Sequence, residues 1–187
     1  MSDGYRPAPA KRLRARNDSG PRRASSVRHV VIHSTEGGTA ASVAQFFATT
    51  AKASTHLVID NAGTYICVPE LVIPWGAPGV NSSGLHIEHC GWSRWTTAEW
   101  SRNPWMLDQS ARRAAMWSWQ YGIPTVVLTP KQLRANRPGF CTHETATIAF
   151  DTPGGHTDPG DGFPIGAYMH AVRDYRARIE ADRKRGA

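Results

Sequence analysis

Short hydrophobic runs separated by turn residues predict the strands of this chain. The run Val30-Val31-Ile32 is rich in β-branched residues, which is typical of a buried strand, and it ends at His33. Two later runs flank an Asn-Ala-Gly turn at 61–63 and predict a hairpin. The predicted strands are residues 28–33, 56–60, 64–68, 85–89 and 125–128.

Wider spacing of apolar residues predicts three helices. Thr39 is a suitable N-cap for the first helix, over about 40–51. A second helix begins at Asn103-Pro104 and ends after Tyr121, because Gly122 and Pro124 follow. The third covers about 164–183 and repeats its apolar residues at helical intervals. The inward face of the first helix is predicted to hold Val43, Phe46, Phe47 and Thr50.

The order of these elements predicts the fold class. Strands alternate with helices along the chain, which favours an α/β fold with a mixed central sheet flanked by helices. Residues 129–163 contain five Gly and four Pro, and we expect them to be loop.

Positive charge is concentrated at the N-terminus. The 187 residues have a formal net charge of +7, and residues 1–28 hold eight Lys/Arg and two Asp. Residues 29–187 therefore have a net charge of only +1, which argues against a nucleic-acid binder. Because residues 1–27 contain few large apolar side chains, we expect a basic disordered arm (1–27) before one folded domain (28–187).

Composition also bounds the location of the protein. No apolar run approaches the roughly 20 residues of a membrane span, and the first 27 residues show no apolar signal-peptide segment. We expect a monomer made in a cytoplasm without a Sec signal peptide. Cys67, Cys90 and Cys141 have neither disulfide nor metal-binding spacing and are expected to be buried thiols.

Three polar residues at element boundaries form a candidate metal site. His33 ends the first predicted strand, and His143 and Asp158 lie in the long predicted loop. A strand end and two loop positions can converge at one edge of a sheet. Two imidazoles and one carboxylate suit a catalytic zinc ion and leave a fourth position for water. The spacing of these residues along the chain is equally compatible with ordinary polar loop residues that bind no metal.

Five motifs in a fixed order give a family resemblance. Together they resemble the zinc-dependent N-acetylmuramoyl-L-alanine amidases of the type 2 class, which share a fold with peptidoglycan recognition proteins. The resemblance covers roughly residues 28–180. The basic arm and the Trp-rich segment 92–105 look most like endolysins of phages that infect actinobacteria. The motifs are Val30–Thr35, Ser54–Asp60 leading to Gly63-Thr64-Tyr65, Leu85–Glu88, Thr142–Glu144, and His156–Gly160 with Phe163-Pro164.

The resemblance implies roles for five residues. It makes His33, His143 and Asp158 the zinc ligands, and Glu88 the residue that handles the proton of the attacking water. His156 occupies a position where many members carry Lys, and it is expected to stabilise the oxyanion. The implied reaction cleaves the amide bond between N-acetylmuramic acid and L-Ala of the stem peptide, and for a phage enzyme this would lyse the host.

Besides His156, two further positions depart from the family pattern. His86 stands where a small residue is usual, and Gly76 follows Trp75 where a His often follows. The pattern offers no explanation for His86.

Several residues keep two interpretations. The tryptophans of 92–105 could stack on sugars or pack in the core. His56 could make core hydrogen bonds or support a ligand, and His89 and Cys90 could line a cleft or be structural. His29 is interpreted as a strand-start residue and His170 as a surface residue.

The expected partner is bacterial peptidoglycan, and the basic arm could also bind anionic wall polymers. The alternative function is a non-catalytic peptidoglycan-binding module of the same fold. Loss of a zinc ligand would indicate that state, and here all three candidates are present together with Glu88.

Overall fold

A six-stranded mixed sheet forms the centre of the protein. The structure, a computed structural model, describes residues 4–185. The strand order is β1-β4-β3-β5-β2-β6; β3 and β4 are antiparallel, whereas β2 runs parallel to both β5 and β6. The predicted α/β class with a mixed sheet and the predicted hairpin are confirmed. The strands are β1 (Lys11–Arg12), β2 (His29–Ser34), β3 (Leu57–Asp60), β4 (Gly63–Ile66), β5 (Gly84–His89) and β6 (Gly139–Thr142).

The three predicted helices are present, and the structure adds three more. In α1 the Thr39 side chain accepts a hydrogen bond from the Ser42 N–H, as expected for an N-cap. The predicted inward face of α1 is partly wrong, because Ala40, Ala44 and Phe47 are buried while Phe46 is 53% exposed. The helices are α1 (Ala40–Thr49), α2 (Thr97–Ser101), α3 (Pro104–Gln120), α4 (Pro130–Arg134), α5 (His143–Phe150) and α6 (Ile165–Arg185).

Strand alternation gives the sheet two buried faces. On one face, Ile32 and Ile87 join the main hydrophobic core with α3 and α6. On the other face, Val31 and Cys141 pack in a smaller cluster with residues of α4 and α5. Because side chains alternate along a strand, His33 and Glu88 lie on the same face of the sheet as Val31. The candidate site therefore lies on the face that α4 and α5 leave partly open.

The expectation of loop over 129–163 is wrong for much of that segment. Thr129 caps α4 through a capping box with Gln132, and Thr142 caps α5. The prolines and glycines lie at boundaries: Pro130 is in the first turn of α4, and Gly139 begins β6. The predicted strand 125–128 is also wrong, since Val127 makes only an isolated bridge to Phe140.

The N-terminal segment is ordered where the expectation was a disordered arm over 1–27. Residues 1–3 lie outside the described residues. The segment 4–28, here called the strap, pairs with β4 through β1 and buries the Ala15 side chain. Arg22 donates to the backbone carbonyls of Glu70 and Gly84 at 2.6 and 2.7 Å. The strap has few apolar side chains. Backbone pairing with β4 and the hydrogen bonds of the Arg22 guanidinium hold it on the domain instead.

None of the helices within residues 4–185 combines the length and the apolar character needed to cross a membrane. Cys67, Cys90 and Cys141 are buried free thiols, as predicted.

Candidate functional site

Parallel pairing of β2 and β6 brings two histidines to one edge of the sheet. Ile32 pairs with Thr142, so the next residues along each strand, His33 and His143, lie side by side. His143 is the first residue of α5 rather than a loop residue. Their ring centroids are 4.7 Å apart.

Asp158 reaches the two histidines from the loop between α5 and α6. Its Oδ2 lies 3.2 Å from Nδ1 of His33, and its Oδ1 lies 2.9 Å from Nδ1 of His143. Its backbone carbonyl accepts a hydrogen bond from the Glu144 N–H at 3.2 Å. One potential ligand atom from each of the three residues lies within 4.8 Å of the others, and all three residues are buried.

The Trp-rich segment supports the loop that carries Asp158. A Cβ on Gly160 would lie 1.8 Å from the Ser93 carbonyl oxygen, and one on Gly162 would lie 1.8 Å from that of Trp95. Only glycine permits this approach of the two backbones. Trp100 is fully buried, and Trp92 stacks against the Arg94 guanidinium. None of the four tryptophans in 92–105 lines the groove described below, which favours their packing interpretation.

Charge at the three residues suits a cation. Burial opposes ionisation of Asp158, but hydrogen bonds from His143 and His33 outweigh it and hold the pKa of the carboxyl well below its usual range. Burial, countered in part by Asp158, lowers the pKa of His33 and favours the neutral ring that ligates metals. His143 Nε2 is buried without a hydrogen-bond partner. Two imidazoles and one carboxylate form a donor set that zinc accepts.

Glu88 faces this cluster from the neighbouring strand. It pairs with His33 across β2 and β5, and its Oε1 lies 3.9 Å from Nδ1 of that residue. Its Oε2 is buried with no hydrogen-bond partner within residues 4–185. Burial, reinforced by the charges of Asp158 and Glu36, raises the pKa of Glu88 well above its ordinary value. A carboxylate with a raised pKa accepts a proton more readily than an ordinary one.

His156 lies at the rim of the cluster. Its ring stacks on His143 with centroids 4.0 Å apart, and its Nδ1 is 3.8 Å from Oδ1 of Asp158. The side chain is 49% exposed, in contrast to the buried rings of His33 and His143. Burial and the neighbouring His143 lower the pKa of His156. The ring can therefore contact both the cluster and a molecule bound above it.

A groove of about 540 Å³ opens beside these residues. Apolar side chains of Phe46 and Trp75, both largely exposed, form part of its walls, and Lys52 adds a cation. The Trp75 Nε1–H donates to Oγ of Ser19 in the strap at 2.8 Å, which fixes the indole at the groove. The groove can hold an extended polar molecule with apolar parts.

The remaining histidines are structural or lie on the surface. His29 bonds Oγ of Ser83 and the Arg137 carbonyl. His89 bonds the His33 carbonyl and Oγ of Ser110, and burial lowers its pKa to about 4. His170 is exposed next to Asp174.

Sequence reasoning missed one connection. His86 is fully buried, and its Nδ1 lies 3.0 Å from Nε2 of His33. His56 lies behind it and accepts a hydrogen bond from the His86 backbone N–H. The unusual residue type at position 86 was the available signal.

Comparisons with solved structures agree on the fold. The chain is similar to the Staphylococcus aureus hydrolase AmiA in complex with its ligand, with TM-score 0.68, 14% identity, and coverage of 94% of this chain and 87% of that one. A mutant endolysin from Bacillus subtilis gives TM-score 0.59 at 15% identity, covering 88% and 99% of the two chains. The catalytic domain of XlyA gives 0.60 at 16% identity, again covering 88% and 99%. At these identities the likeness shows the fold.

Sequence comparison identifies the family. A search of curated proteins finds no match. The family model Amidase_2, described as N-acetylmuramoyl-L-alanine amidase, matches residues 23–161, which is most of the chain and includes His33, Glu88, His143 and Asp158. Since this model matches more than half of the chain, the chain belongs to the N-acetylmuramoyl-L-alanine amidase family.

Proposed function

We propose that the protein is a zinc-dependent peptidoglycan amidase. The bond cleaved joins the lactyl group of N-acetylmuramic acid to L-Ala of the stem peptide. The observation that carries this proposal is the convergence of His33, His143 and Asp158 at a groove, with Glu88 beside them. The peptidoglycan substrate follows from family membership.

The proposed ligands are His33, His143 and Asp158. When bound there, zinc supplies Lewis acidity that polarises a carbonyl and makes water more acidic. Glu88, whose carboxylate faces the proposed ligands from β5, takes the proton of the attacking water and passes it to the leaving amine. His156, half-exposed at the rim, donates a hydrogen bond to the oxygen on which negative charge develops.

The rival function is a binding module that holds peptidoglycan without cleaving it. A zymogram on cell walls, run with and without a chelator, separates the two. Clearing that the chelator abolishes and added zinc restores supports the amidase. Mass spectrometry of the released fragments then reports the bond cut: free L-Ala amino termini are expected, and new reducing sugar ends would contradict the proposal.

We further propose that the enzyme acts on the host wall during phage lysis. The support is the likeness in fold to endolysins and the basic strap. Lys11, Arg12 and Arg14 are exposed and can attract anionic wall polymers. Because the strap is ordered, charge is best removed without deleting it.

A triple change of Lys11, Arg12 and Arg14 to Gln tests the strap. It should weaken binding to isolated walls at low salt and leave binding unchanged at high salt, where screening already removes the attraction. Equal binding by both proteins at every salt concentration would show that the strap has no such role.

A further inference from the structure

A row of three buried histidines crosses the sheet behind the candidate metal site. The rings of His33, His86 and His56 stack in sequence, with centroids 5.1 and 5.8 Å apart and interplanar angles of 23° at both steps. Each residue is at most 1% exposed. Burying an imidazole costs folding free energy unless its nitrogens have hydrogen-bond partners. The partners of each ring in the row therefore indicate why a histidine stands there.

His56 has a structural reason. Its Nδ1 accepts from the His86 backbone N–H at 3.0 Å, and its Nε2–H donates to the Val72 carbonyl at 3.2 Å. Nε2 also lies 3.0 Å from Nη2 of Arg22, so both ring nitrogens have polar partners. His56 satisfies a donor of β5 at a point just before β3 begins.

His86 has no comparable reason. Its Nε2 is buried and has no hydrogen-bond partner among the described residues, and its Nδ1 contacts Nε2 of His33 at 3.0 Å. Its ring also fits only because two neighbours are glycine. A Cβ on Gly76 would lie 2.6 Å from Nδ1, and one on Gly84 would lie 2.7 Å from Nε2. Packing alone would be served better by an aliphatic residue.

We propose that His86 is a positioning residue for His33. The proposal rests on the proposed zinc site. Nδ1 of His33 faces Asp158 at 3.2 Å and is the atom available to the metal. A neutral imidazole that ligates through Nδ1 carries its proton on Nε2. With zinc at Nδ1, the ring would no longer donate from that atom to Asp158; its proton would lie on Nε2 and be donated to His86 Nδ1, which orients the His33 ring.

This arrangement accounts for the unpaired nitrogen of His86. If Nδ1 of His86 accepts the proton of His33, the neutral His86 ring must carry its own proton on Nε2. That atom is the one left without a partner. The unpaired Nε2–H of His86 is therefore a consequence of the hydrogen bond that orients His33.

A pair of substitutions of similar size tests the hydrogen bond. His86→Leu removes the acceptor, and His86→Asn places an amide oxygen close to the position of Nδ1. The readouts are the zinc dissociation constant from chelator competition, the absorption spectrum of the Co²⁺-substituted protein, and the melting temperature of the metal-free protein. His29→Leu is the matched control, because His29 is equally buried on β2 but bonds only Ser83 and Arg137.

Loss of an outer hydrogen bond to a metal-ligating His should weaken zinc binding roughly 10- to 100-fold in His86→Leu. The Co²⁺ spectrum should change, and His86→Asn should recover most of the affinity. The metal-free melting temperature of His86→Leu should change little, because the unpaired Nε2 of His86 is removed while Nε2 of His33 loses its partner. His29→Leu should change the melting temperature and leave zinc affinity within about 3-fold.

The outcomes distinguish this inference from the proposed function. If the unaltered protein binds no zinc, or binds it equally after His33→Ala, the proposed function itself fails. If the unaltered protein binds zinc through His33 but His86→Leu keeps its affinity and Co²⁺ spectrum, only the role of His86 is refuted. Nitrogen NMR of the unaltered zinc-loaded protein needs no variant: a proton on Nδ1 of His33, with bare Nε2, would also refute it.

Discussion

Nδ1 of His33 lies 3.2 Å from Oδ2 of Asp158, although the two residues come from a central strand and a distant loop. This distance places the Asp158 carboxylate beside a buried imidazole. A zinc ion bound between them would compensate the negative charge of Asp158. The relationship makes these residues testable as ligands.

His33→Ala, His143→Ala and Asp158→Ala should each lose bound zinc and all activity. The fold should persist, because the main core lies on the opposite face of the sheet and does not depend on metal. Metal analysis and circular dichroism of the purified variants check both parts. Full activity of the thoroughly demetallated unaltered protein would contradict the mechanism.

Glu88→Gln should lower turnover by roughly 10²- to 10⁴-fold, the contribution typical of general acid–base catalysis. The amide keeps the shape of the carboxyl but cannot accept a proton. Zinc content should be unchanged, since the cluster of potential ligand atoms is formed by His33, His143 and Asp158 without Glu88. Near-normal turnover would show that water is activated without this residue.

His156→Ala should lower turnover by roughly 10²- to 10³-fold, as expected when a donor to a developing oxyanion is lost. Zinc should remain bound, because the half-exposed His156 ring lies outside the cluster of ligand atoms. His156→Lys should keep substantial activity. Loss of zinc from the Ala variant would instead make His156 a ligand.

The sequence predicted the residues of the candidate site better than it predicted the structure around that site. Motifs identified His33 and His143, but their proximity depends on the parallel register of β2 and β6, which is a long-range property. Composition predicted a disordered strap because it counts apolar side chains. It does not register a single half-buried arginine such as Arg22, which bonds several backbone carbonyls.

Two other errors have local physical causes. Residues 129–163 are dense in Gly and Pro, yet Pro130 and Gly139 lie at the ends of elements, where they are compatible with regular structure. The role of His86 could not be inferred, since it depends on the space that Gly76 and Gly84 leave for its ring.

Acidification should reduce stability in part through His29. Burial, partly offset by its bond to the Arg137 carbonyl, lowers the pKa of His29 below the ordinary 6.5. Below that ordinary value the unfolded chain binds a proton that the native state does not, so the free energy of unfolding falls as pH drops. Urea unfolding at pH 7.5 and 5.5 measures this loss.

Substitution separates His29 from the other buried histidines. His29→Asn should show a smaller loss between the two pH values than the unaltered protein. His170→Asn, which changes an exposed ring, should show the same loss as the unaltered protein. Identical pH dependence in all three proteins would contradict the assignment to His29.

Arg22 should be the residue through which the strap stabilises the domain. Its guanidinium donates to the carbonyls of Glu70, Gly84 and Asn81, two of them at 2.7 Å or less. Burial is the main reason that the pKa of Arg22 is lowered to about 10, but the group remains charged at neutral pH. Arg22→Met keeps much of the apolar stem and leaves these partly buried carbonyls without the guanidinium donors.

The expected loss for Arg22→Met is at least about 2 kcal/mol in the free energy of unfolding, measured by urea denaturation, because buried acceptors left unpaired retain their full desolvation cost. Arg14→Met is the matched control. Arg14 is exposed and pairs with Asp18 four residues later, an arrangement worth about 0–1 kcal/mol. Equal losses for the two variants would mean that the strap stabilises the domain through its backbone pairing with β4 and not through Arg22.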